Sequence, residues 1–178
     1  MASSSGASVL NIDITKFISP EATNRKHIAF MIRSNLTMKM LLDGLNTDIT
    51  LEAKGGSRFR AHTCVLAANS PVFNAIFKTR TEERVIATVP EKLHEMTIEG
   101  LKLFVVLLYL APVLQDNVIM NGLENAVIDH FDELVAARLK FKVPVMDPIL
   151  TKALSKILTP ENCGNYLYYW MIASLKQR

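Results

Sequence analysis

The stretch Asp48-Ile49-Thr50-Leu51-Glu52-Ala53-Lys54-Gly55-Gly56-Ser57-Arg58-Phe59-Arg60-Ala61-His62 decides the fold. Ile49, Leu51 and Ala53 alternate with Thr50, Glu52 and Lys54; Phe59 and Ala61 alternate with Arg58 and Arg60. A period of two sends successive side chains to opposite faces of a strand. Gly55-Gly56 separates the two runs, and glycine accepts the positive φ that a tight turn requires. The pattern predicts a β-hairpin. Helices come next. Residues 65–68 read as one short helix and Ser70-Pro71 starts another, with Val72, Phe73, Ile76 and Phe77 inward.

Toward the N-terminus, residues 1–8 are small and polar and read as a flexible leader, without the basic start and apolar stretch of a signal peptide. Leu10, Ile12 and Ile14 alternate with Asn11, Asp13 and Thr15, which predicts an edge strand or a strand donated to a partner. Ser19-Pro20-Glu21 has the composition of a helix start. Ile28, Met31 and Ile32, then Leu36, Met40 and Leu41, carry an apolar face toward Gly44, in one helix or in two split at Ser34-Asn35.

Toward the C-terminus, Val85, Ala87 and Val89 share one face of a third strand over residues 84–89. A helix begins near Thr97. Its apolar residues cover both sides, Leu101, Phe104, Val105, Leu108 and Tyr109 on one and Leu103, Val106, Leu107 and Leu110 on the other, so it is buried nearly all round until Pro112 stops it. After a polar stretch, Leu134, Val135 and Leu139 mark a helix ending at Val143-Pro144. Asp147-Pro148 caps another, with Ile149, Leu150, Ala153, Leu154 and Ile157 inward. Thr159-Pro160-Glu161 starts a last helix carrying Tyr166, Tyr168, Tyr169 and Trp170. Strands early and helices late give an α+β domain.

Composition narrows the function. The 178 residues are 49% hydrophobic and 21% charged, enough for one domain with a packed core and unlike a disordered chain. A net charge of +3 is too mild to imply a nucleic-acid partner. Cys64 and Cys163 are too few for a disulfide framework and suit a reducing compartment, cytoplasmic or nuclear. The longest apolar run, residues 103–114, falls short of the ~20 residues of a membrane helix, so no membrane is expected. His62-Thr63-Cys64 lacks the further ligands of a zinc site; His62 reads as structural, its ring bonded to backbone, and Cys64 as buried. Asp129, Asp132 and Glu133 sit beside a helix start, where acids favour the positive end of the dipole. With no Walker loop, G-x-G-x-x-G or G-x-S-x-G, the chain reads as no enzyme, with no catalytic residue, cofactor or metal.

Asp48-Ile49-Thr50-Leu51, Gly55-Gly56, Phe59-Arg60-Ala61-His62, Val65-Leu66-Ala67-Ala68 and Ser70-Pro71-Val72-Phe73 together resemble the BTB/POZ signature. Its signature residues here are Asp48, Phe59, His62, Leu66, Ser70 and Phe73. Downstream, Leu107-Leu108-Tyr109, Leu134-Val135-Ala136-Ala137 and Phe141-Lys142-Val143-Pro144 are similar to family segments in register. Leu158-Thr159-Pro160-Glu161-Asn162 resembles the start of the helical extension of ubiquitin-ligase adaptors, of the 3-box or BACK kind. The resemblance, of the speckle-type POZ and cullin-3 adaptor kind, implies a small β-sheet flanked by a cluster of α-helices. It divides the chain into a leader with an exchanged edge strand (1–18), a BTB/POZ domain (19–143) and a truncated extension (144–178).

It also implies an interaction module whose first partner is a second copy of itself, through Leu10, Ile12, Ile14, Leu36, Met40 and Leu41. Cullin-3 is a further partner, facing Phe77, Thr81, Glu83 and Tyr109, with an unknown substrate protein beyond it. The alternative is a dimerisation module of a transcription-associated regulator outside the ubiquitin pathway. Two departures stand out. Thr63 replaces the Lys or Arg that usually follows the His, so a charged pocket with Asp48 lacks its cation. Thr81 replaces the apolar anchor of an apolar-x-Glu motif ending at Glu83, so the expectation is cullin binding weakened by the few CH₂ groups lost, at ~0.8 kcal/mol each, or moved to other contacts.

Overall fold

The computed structural model describes residues 13–18, 20, 24–78, 93–114, 116–161, 163–164 and 166. Leu10, Ile12, Thr81, Glu83, the strand expected over 84–89 and Tyr168, Tyr169 and Trp170 lie outside them. The hairpin forms as its pattern predicts. β1 (Ile49–Glu52) pairs antiparallel with β2 (Arg58–Ala61), Ile49 opposite Ala61 and Leu51 opposite Phe59. These four residues are buried. Gly55 and Gly56 take φ of 81° and 79°, and the Ala53 amide donates to the Ser57 carbonyl at 2.8 Å to close the turn. On the solvent face Arg58 Nε meets Glu52 Oε2 at 3.0 Å across the pair.

Among the described residues eight α-helices surround this two-stranded sheet, an α+β fold. The first two are α1 (Arg25–Ser34) and α2 (Leu36–Leu42). Asn35 separates them, its side chain accepting the Thr37 and Met38 amides at 3.1 and 3.3 Å and so capping α2. After the hairpin come α3 (Thr63–Asn69) and α4 (Pro71–Lys78). Ser70 joins them. Its hydroxyl accepts the Phe73 amide at 3.1 Å and donates to the Phe141 carbonyl at 2.5 Å. Phe73 stacks on Phe141, ring centres 4.4 Å apart, with Phe104 and Phe77 also packed on the Phe73 ring.

The axis of the core is α5 (Ile98–Tyr109). Every residue from Gly100 to Tyr109 is buried, as the all-round apolar pattern predicts. Three further helices close around it: α6 (Asn117–Asp129), α7 (Phe131–Phe141) and α8 (Asp147–Ile157). No helix among the described residues is long and apolar enough to cross a membrane.

Four local expectations are corrected. The strand through Ile14 is instead a 3-10 turn over Ile14–Lys16, because Asp13 accepts the Thr15 amide and hydroxyl at 3.1 and 2.6 Å. Such a side-chain cap competes with strand pairing. Ile14 is fully buried in its own chain. Helix α6 occupies the stretch read as polar: Asp116 caps it, and Ile119, Leu123 and Val127 recur every four residues on its buried side. Asp147 does not cap α8; its carboxylate takes two hydrogen bonds from Arg138 of α7, at 2.6 and 2.7 Å. Cys64, expected inside, is exposed, because α3 is only seven residues long and buries Leu66 as its inward residue.

Candidate protein-interaction surfaces

The polar signature residues are spent on joining elements. His62 follows β2 and precedes α3, and its amide donates to the Tyr109 hydroxyl oxygen at 2.8 Å. Its Nε2 lies 2.7 Å from the Leu45 carbonyl, which can only accept, so Nε2 carries the proton. Nδ1, 2.6 Å from the same hydroxyl, is therefore the acceptor of the Tyr109 O–H. One imidazole thus links the hairpin, α5 and the loop after α2 with both ring nitrogens engaged. Burial pushes the Tyr109 phenol well above its ordinary value, against a smaller lowering by the His62 amide.

Asp48 explains how the chain does without a cation after the His. Its two carboxylate oxygens accept the Thr63 amide at 2.7 Å and the Thr63 hydroxyl at 2.6 Å. The acid caps α3 from a distance, and Thr63 supplies a donor where Lys or Arg would supply charge. Arg60, from the exposed face of β2, donates to the Thr47 carbonyl at 2.9 Å and holds the same loop. Glu133, expected only to favour a helix dipole, accepts the Thr97 amide at 3.0 Å and so covers the start of α5. Among the described residues no group of three or more His, Cys, Asp or Glu is gathered as metal ligands would be.

The expected partner-facing residues separate into two sets. Of those assigned to a second copy, Leu36 is 72% exposed and Met40 half-buried; one helical turn apart, they share a face of α2. Leu41 is 4% exposed and Ile14 fully covered, so both belong to the chain's own core. Leu45, which apolar spacing does not single out, is 52% exposed beside this face. Its signal is a helix stop: Gly44 takes φ of 63°, its amide donates to the Leu41 carbonyl, and the Leu45 amide reaches back to the Met40 carbonyl at 2.9 Å. This is the Schellman pattern, which brings the residue after the glycine over the last turn of the helix.

Of the residues assigned to cullin-3, Phe77 is half-buried and stacked on Phe73. Tyr109 is 1% exposed and committed to His62, which removes it from any surface. Its ring is buried, and its polar tip finds a partner inside the protein.

A domain of this build, with its polar groups turned inward as struts and an apolar helix face outward, is a scaffold for contact with other proteins. The BTB/POZ domain profile matches residues 38–154, from within α2 to within α8. The chain belongs to the BTB/POZ domain family. It is similar to human Kelch-like protein 34, 28% identical over 121 residues, which are 68% of this chain. The matched stretch spans only 17% of that relative's length.

Proposed function

We propose that this chain homodimerises through the α2 face bearing Leu36 and Met40 and acts as a substrate-adaptor module of a cullin-3 ubiquitin ligase, in the cytoplasm or nucleus. The observation that carries the dimer is Leu36, a leucine 72% exposed on a helix whose other side is built into the core. Leu45 extends the same apolar surface. Burying such side chains is worth ~1.5–3 kcal/mol each, and an obligate interface of ~2,000 Å² or more gathers several of them. The likeness to a Kelch-like protein supports the adaptor role, with Phe77, Thr81 and Glu83 as the cullin-facing residues.

The test has two arms. Light scattering on the wild-type chain should give twice 19.9 kDa at micromolar concentration, and Leu36→Asp or Met40→Asp should give 19.9 kDa with unchanged helical circular dichroism. A pull-down with purified cullin-3 then separates an adaptor from a dimerisation module outside the ubiquitin pathway. A monomeric wild type removes the first half of the proposal; absence of cullin-3 removes the second.

A further inference from the structure

Helix α8 is held by polar contacts as well as apolar ones. Asp147 at its start pairs with Arg138 of α7. Lys152 donates to Asn121 of α6, and one turn later Lys156 meets Glu124 Oε2 at 2.6 Å. Since 152 to 156 on α8 matches 121 to 124 on α6, the two helices run the same way and these contacts set their register. The apolar grip is uneven. Ile149, Leu150 and Ala153 are buried, whereas Leu154 and Ile157, toward the end, are only partly so.

The Glu124–Lys156 pair is unequal in its exposure. The Glu124 side chain is 7% exposed and that of Lys156 57%. Glu124 Oε1 is buried and makes no hydrogen bond among the described residues. A buried carboxylate is tolerated while a cation compensates it, and removing the cation leaves the full cost of the unpaired charge. Here the cation reaches in from solvent on the helix with the thinner apolar hold. The cheapest relief is local: the end of α8 swings off and water reaches Glu124.

We propose that Glu124–Lys156 is a charge latch: the C-terminal half of α8 stays docked on α6 only while the Lys156 side chain carries its positive charge. Lys156 lies two residues past the end of the family match, so the latch sits at the C-terminal boundary of the BTB/POZ domain. Opening it frees the end of α8 with the body of the domain intact, a device for releasing the turn at residues 158–161 from α6.

Hydrogen exchange on the full chain tests this, because local opening is read residue by residue. The reporters are the Leu158 amide, bonded to the Leu154 carbonyl at 2.9 Å, and the Cys163 amide, bonded to the Thr159 carbonyl at 3.0 Å. In Lys156→Gln both should exchange faster by about tenfold or more, with α5 amides at the wild-type rate. Lys156→Arg should keep the latch shut. The double variant Glu124→Gln with Lys156→Gln should return to within about threefold of wild type, since no buried charge is then stranded. Wild-type exchange in Lys156→Gln overturns the proposal. So does a double variant that stays open, or a loss of protection in α5 that makes the effect global.

Discussion

Replacing Tyr109 by Phe removes one oxygen and almost no volume, so it isolates the role of the hydroxyl that holds His62. That oxygen accepts the His62 amide at 2.8 Å and its proton goes to Nδ1 at 2.6 Å. Tyr109 is 1% and His62 6% exposed, so water has no easy route to either orphaned group. A buried donor or acceptor left unsatisfied costs about 1–3 kcal/mol. Two of them, less the desolvation of the lost hydroxyl, put Tyr109→Phe at about 2–4 kcal/mol of lost stability. Urea unfolding followed by circular dichroism should show the midpoint falling by about 1 M or more at unchanged slope. Nitrogen-15 spectra of the wild type should report His62 as the Nε2–H tautomer. A loss below about 0.5 kcal/mol, the level of an ordinary surface change, or an Nδ1–H tautomer would refute the reasoning.

The same phenol predicts an alkaline weakness. Its folded value is raised, so its contribution is fully present below the unfolded value near pH 10 and is lost as pH rises above it. Wild type should lose up to about 1.4 kcal/mol per pH unit there through this group, and Tyr109→Phe should lack that component; parallel pH–stability curves would contradict it. Gly100→Ala would drive a methyl carbon into Glu133 Oε2, well inside van der Waals contact. It should displace the carboxylate from Thr97 and cost about 1–3 kcal/mol, with a smaller penalty in a Glu133→Ala background, both read by thermal melting. Under the proposed adaptor role, Thr81→Met should tighten cullin-3 binding by about 1–2 kcal/mol through added apolar burial, and Glu83→Ala should weaken it; calorimetry on the purified chain measures both, and no binding by either wild type or Thr81→Met would refute that role.

What the sequence determined by itself is what neighbours along the chain decide. Gly55-Gly56 between two alternating runs specifies the hairpin, because no other residue takes two successive positive φ values so cheaply. Ser70-Pro71 marks a helix start, and the unbroken apolar surface of residues 101–110 marks the central helix. Even helix α6, in the stretch read as polar, is written locally, in Asp116 and the four-residue spacing of Ile119, Leu123 and Val127. The tertiary structure alone decided what each apolar or polar side chain meets. Periodicity says that Ile14, Leu36, Met40 and Leu41 seek an apolar neighbour; it does not say whether that neighbour is the chain's own core or another protein. Packing sent Ile14 and Leu41 inward and left Leu36 out. Tyr109 was taken from the surface by a histidine 47 residues away, and Asp48 found in Thr63 the donors that a missing cation would have supplied. These pairings depend on where elements distant in sequence come to rest, a matter of shape and buried hydrogen bonds that no local pattern encodes.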